Sequence, residues 1–160
     1  MKIAAQPILQ SFLGLDEPPS RPGVRLQKLA HVNAYMLLMG LAFENVLKAI
    51  AVKSGRLTVK SELTFRRPEP GKSGHSLTGL ARILDLDPKL TTTEHEYLQR
   101  LEEFLWWAGR YPIPKKPGSY AESHATSRLS FKTTDPGLGE KLFDKLASLR
   151  PPTRILDSPC

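Results

Sequence analysis

The chain has 160 residues, 40% of them apolar, with 23 Lys and Arg against 16 Asp and Glu for a net charge of +7. That length suits one domain with a real hydrophobic core, and a single cysteine, the terminal Cys160, excludes a disulfide framework and a paired-thiol metal site. The charge admits a polyanion partner without requiring one, and the cysteine usage fits a reducing, cytoplasmic setting.

In chain order, residues 1–23 read as a lead-in: ILQSFLGL can form a short helix, whereas EPPSRPG carries three prolines and a glycine and reads as linker or turn. The opening apolar run is too short and interrupted for a signal peptide, and the longest apolar stretch, AYMLLMGLAF, is too short for a membrane span. From Val24 to about Lys53, Leu26, Leu29, Leu37, Leu41, Val46 and Ile50 recur at helical spacing without a proline. The helix is apolar nearly all round at its middle, so it reads as the central helix of a bundle, stopped at Ser54-Gly55.

Residues 56–74 alternate weakly and end in RRPEPGKSG, so a short strand or hairpin over 57–65 stands as an alternative to loop. A helix opening near Ser73 or His75 is expected to run through HSLTGLARILDL to Pro88. The next, TTTEHEYLQRLEEFLWWAGR, offers Thr91 with Glu94, or Thr93 with Glu96, as a capping box, and buries Tyr97, Leu98, Leu101, Phe104 and Leu105. Pro112 and Pro114 end it, and residues 111–134 form a long connection. Asp135-Pro136 opens a last helix with Leu138, Leu142, Leu146 and Leu149 in step, and 150–160 is a tail. The expectation is an all-α fold: a small bundle of four to five helices, one domain over 24–149.

The minimal parts of nucleotide, zinc and serine-hydrolase sites are missing, and His31, His75, His95 and His124 are scattered, so neither metal nor cofactor is expected. Glu44 follows AYMLLMGLAF without a polar gap, which predicts a partly buried carboxylate in need of a cation. Arg110 or His75 could supply it, whereas an i,i+4 pair with Lys48 on an exposed stripe is the plain alternative. Arg110 and Tyr111 follow the tryptophans at a helix end; His75 sits at a helix start. Each also has a plain structural use, in capping, packing or dipole pairing. Lys48, Arg66, Arg67, Lys115, Lys116, Arg128 and Lys132 supply cations, those of the 111–134 connection interleaved with Tyr120 and other rings, a composition suited to phosphate and base-stacking contacts. A small-ligand pocket lined by Trp106, Trp107 and Tyr35 is a further alternative, weakened because adjacent helical residues point apart.

In this order, ENVLKA on an early helix, GHSL opening a second, and WAGRYPIP ending a long one, the chain resembles the HEPN superfamily, the helical-bundle domains of prokaryotic toxin-antitoxin and defence systems. The likeness spans about residues 27–117. It implies RNA or nucleotide association, a homodimer or a small partner protein, and, for nuclease members, metal-independent ribonuclease chemistry through an R-x(4-6)-H motif. There arginine stabilises phosphate charge and histidine moves the proton. Here thirteen residues separate Arg110 from His124, and seven separate Arg67 from His75. The resemblance is therefore to a divergent member lacking the motif, in which Arg110, Tyr111, His75 and Glu44 would form a rearranged site. A non-catalytic interaction or dimerisation module is the alternative.

Overall fold

A computed structural model of the chain describes residues 22–57, 76–108 and 125–149. These are all-helical, with four α-helices and no strand among the described residues: α1 Pro22–Lys53, α2 Leu77–Ile83, α3 Thr92–Glu103 and α4 Asp135–Ala147. The proposed strand over 57–65 lies outside the described residues apart from Leu57, which folds back into the core.

The 32-residue α1 is about 48 Å long at 1.5 Å per residue, against about 18 Å for the 12-residue α3. It is therefore the spine on which the shorter helices lie. Met36, Met39, Phe43, Leu47 and Ala51 form its buried stripe, meeting Leu77, Leu80 and Ala81 of α2, Tyr97, Leu98 and Leu101 of α3, and Leu142 and Leu146 of α4. Phe43 is the hub of the rings, edge-on to Tyr97 at 6.0 Å and to Phe143 at 5.8 Å, a geometry that matches ring edges to ring faces. Gly40 lets α3 approach: a Cβ there would stand 2.8 Å from Leu105 Cγ and 3.2 Å from the Leu101 carbonyl. The window Leu26–Lys53 is long and apolar enough, by length and composition, to cross a membrane, with mean hydropathy 1.5, and half of it is buried inside the bundle.

The helix ends follow local chemistry. Gly55 takes a left-handed φ of 70° after α1, and the Arg56 N–H donates to the Ala51 carbonyl, closing the helix where Ser54-Gly55 predicts. Ser76 caps α2 by accepting from the Gly79 N–H at 3.0 Å, while Glu102 of α3 reaches across to accept from both the N–H and the hydroxyl of Thr78. α2 stops earlier than expected. Asp85, not Pro88, ends it by taking a φ of 54°, a conformation that Asp tolerates, and Pro88 sits inside a separate 3₁₀ turn, Asp87–Lys89. For α3 the first of the two expected capping boxes forms, Thr91 with Glu94.

After Glu103 the coil widens into one π-helical turn, Phe104–Ala108. Phe104 and Leu105 are buried there and Trp106 is half exposed. At the start of α4, Pro136 occupies the first turn as predicted, with Thr134 as the flanking residue. Asp135 does not bond back onto its own helix; its carboxylate turns into the core. Lys145 of α4 ties down the start of α3, donating to both Glu94 carboxylate oxygens and to the Lys89 carbonyl.

Candidate functional site

Of the four proposed catalytic residues, Glu44 is within the described part of the chain. His75, Arg110 and Tyr111 lie outside it, as do Arg66, Arg67, Lys115 and Lys116 of the proposed cation set. Glu44 is buried, 5% exposed, as the unbroken apolar run before it predicts. The helix itself supplies a counter-ion: Lys48, one turn on, donates to Glu44 Oε1 with its own side chain largely covered. Of the remaining cations, Arg128 is half buried, and Lys132 is exposed with Nζ 3.7 Å from Glu96 Oε2, a spacing of little energetic weight at the surface.

The pocket idea built on the tryptophans separates into unlike environments. Tyr35 is a core residue at 4% exposure, whereas Trp106 is half exposed.

An Arg-His pair with R-x(4-6)-H spacing does occur in this chain: Arg25 and His31 have five residues between them. The expectation that the motif is lacking is corrected by this pair. Both residues belong to the continuous helix α1, where a six-residue step is about 9 Å along the axis and about 120° around it. The two positions do not share a helix face. His31 has its Nδ1 2.7 Å from the Gln27 carbonyl, and since a carbonyl only accepts, Nδ1 carries a proton.

The most concentrated polar chemistry in the described core is a cluster that sequence reasoning missed. Arg100 of α3 donates through Nη2 to Oδ1 of Asp135 at the start of α4, with the two residues 4% and 0% exposed. Oδ2 of Asp135 accepts the Lys132 N–H at 2.8 Å. The Tyr97 ring lies 5.6 Å from the Arg100 guanidinium carbon. Its hydroxyl sits close enough to Tyr35 for each to perturb the other's titration, yet it lacks hydrogen-bond geometry to any described partner; Arg100 Nε is also unbonded among the described residues.

Burial raises the Tyr35 hydroxyl to about 12 and raises that of Tyr97 further. Burial also pushes the Asp135 carboxyl upward, with the Lys132 N–H and Arg100 opposing it. A signal for Arg100 exists in the sequence, since it falls three residues after Tyr97 and four before Phe104, at the edge of the apolar arc. Asp135, beside a proline at a helix start, reads locally as a cap, and its partner is 35 residues away.

Charge is unevenly distributed. The described residues hold twelve Lys and Arg and ten Asp and Glu, an excess of two against seven for the whole chain. Among the described residues there is no group of three or more His, Cys, Asp or Glu placed to hold a metal ion. Asp87 does gather His95, with Nε2 at 3.2 Å, and Arg82 at 3.7 Å, as a polar cluster at the surface.

Leu26 and Leu29 are 69% and 56% exposed, although they continue at three-residue steps the stripe that runs through Val32, Met36, Met39 and Phe43. In comparisons with known proteins, no family model matches the chain, and no curated protein or solved structure is significantly similar to it.

Proposed function

We propose that this is a HEPN-like helical protein that associates with RNA, in a bacterial toxin-antitoxin or defence setting in the cytoplasm, with the helical bundle serving as a frame. The supporting observation is where the positive charge lies. The described bundle is close to neutral, and most of the excess belongs to the rest of the sequence, which includes Arg66, Arg67, Arg110, Lys115 and Lys116. Arg128 and Lys132 stand in the described stretch 125–134 that leads into α4.

Cations on connecting segments can follow a phosphate backbone, and a neutral frame limits nonspecific attraction elsewhere. Lys48 contributes less to such binding, because its charge faces Glu44. A degenerate ribonuclease remains within this proposal through Arg110, Tyr111, His75 and Glu44. The Arg25-His31 pair gives it no support, since the two positions lie on different faces of α1.

Titration of the full chain against a single-stranded RNA over a range of salt concentrations tests the reading. Log affinity should fall linearly with log salt, and each phosphate-contacting cation removed should lower the slope by about 0.7. Affinity that is absent, or independent of salt, refutes it.

A second reading, a dimerisation or partner-docking module without catalysis, is favoured by the exposed end of the α1 stripe. Leucines in register with a core stripe but open to water are well placed to complete that stripe with a second chain. Sedimentation velocity decides: the reading expects a dimer that Leu26→Glu with Leu29→Glu converts to a monomer, and it fails if the unmodified chain is monomeric.

A further inference from the structure

The segment 125–134 is held to the bundle by buried charge as well as by apolar contact. Asp135 is wholly buried and divides its carboxylate: Oδ1 takes the Arg100 guanidinium of α3 and Oδ2 takes the Lys132 N–H. One residue before Lys132, the Phe131 ring stands edge-on to Tyr35 of α1, centroids 5.9 Å apart. The backbone between Ser127 and Ser130 is folded tightly, with Ser127 at a φ of 56° and its carbonyl accepting from both the N–H and the hydroxyl of Ser130.

For joining α3 to α4 this is an expensive device. Two apolar side chains of similar volume would serve as well or better, because desolvating the two ions opposes their attraction. What an apolar pair cannot do is accept the Lys132 N–H, or fix a direction. We propose that Arg100 and Asp135 are a positioning pair for the segment carrying Arg128 and Lys132. By clamping that strip of chain in one arrangement on the bundle, they set the affinity of the protein for a polyanion. Only the last step rests on the RNA reading above; the clamping stands on the geometry alone.

The arrangement predicts a separation between stability and binding. A chain that need not be ordered on contact binds more tightly than one that must, with the same contacts formed in the end. The experiment compares the full chain with the double variant Arg100→Met/Asp135→Leu, and with Asp135→Asn as a near-isosteric single change. Two readouts are taken: amide hydrogen exchange resolved over residues 128–132 and over α3, and affinity for a single-stranded RNA across a salt series.

The double variant is expected to keep its thermal midpoint and its α3 protection. Exchange at residues 128–132 should accelerate at least tenfold, and RNA affinity should fall at least threefold with the salt slope unchanged. Asp135→Asn should accelerate exchange over the same residues. If the double variant retains wild-type protection at residues 128–132, the clamping is refuted, whatever happens to RNA. If exchange accelerates but affinity is unchanged in a protein that binds RNA, the link from clamp to binding is refuted. If the unmodified chain binds no RNA, the RNA reading fails by itself and the exchange result still decides the clamp.

Discussion

Two glycines of α4, two residues apart, should respond in opposite directions to the same change. A methyl group added at Gly137 would meet nothing within 4 Å, so Gly137→Ala gains helix propensity, at most about 1 kcal/mol and less in a first turn. At Gly139 a Cβ would stand 2.6 Å from Tyr97 Oη and 3.2 Å from both Tyr97 Cζ and Met39 Cε. Tyr97 is fully buried and held edge-on to Phe43, so it cannot swing clear into solvent. Forcing an extra carbon into such a site costs about 1–3 kcal/mol, which offsets or exceeds the propensity gain.

The propensity contributions largely cancel in the difference between the two variants, so that difference measures the overpacking: about 1–3 kcal/mol in favour of Gly137→Ala. Urea unfolding followed by circular dichroism reads it as separated midpoints at a common slope. Tyr97→Phe then supplies a control. Its hydroxyl has no hydrogen bond to a described partner to lose, so the change alone should be nearly neutral, and in combination with Gly139→Ala it should recover at least about 1 kcal/mol. Equal midpoints for the two alanine variants, or no coupling between Tyr97 and Gly139, would refute the reasoning.

Three other outcomes are expected. Thr91→Ala removes one half of the α3 capping box and should cost about 1 kcal/mol, read by thermal unfolding. Glu102→Ala leaves the Thr78 N–H and hydroxyl without their acceptor and should destabilise by about 1–2 kcal/mol, with exchange accelerating first in α2. Burial raises the Glu94 carboxyl, but the bonds from Lys145 and Thr91 outweigh it and the net direction is downward. A lowered folded value means that its contribution is complete above the unfolded value of about 4.3 and is lost as pH falls through the folded one, so Glu94→Gln should flatten the acid limb of a stability-pH curve.

The helices are legible in the sequence because their signals are local: the three- and four-residue stripe of α1, the Thr91-Glu94 box, and proline in the first turn of α4 all lie within a few residues of what they determine. The early stop of α2 is less so, because Asp85 in a left-handed cap looks in sequence like any polar residue before a proline. The burial of Glu44 is legible too, since the apolar run before it leaves no other surface. The Arg100-Asp135 pair escapes because each half has a commonplace local use and only the tertiary fold brings them together. Hence the sequence points to a site at the end of the third helix, whereas the described structure concentrates its buried polar chemistry at the start of the fourth.

The π-helical turn at Phe104–Ala108 carries a consequence for insertion and deletion. A π turn is an α-helix holding one residue more than its hydrogen-bond pattern needs, so removing one residue there would let the α-helical pattern of Thr92–Glu103 continue through it. Residues of the turn beyond the deletion would be turned by about 100° and drawn back by about 1.5 Å. Phe104 and Leu105 continue the buried spacing of Tyr97, Leu98 and Leu101 into the turn, and Trp106 falls outside it. The direction in which Trp106 points from the core is thus tuned by a single residue of length, a quantity that point substitution leaves untouched and that a one-codon deletion would reset.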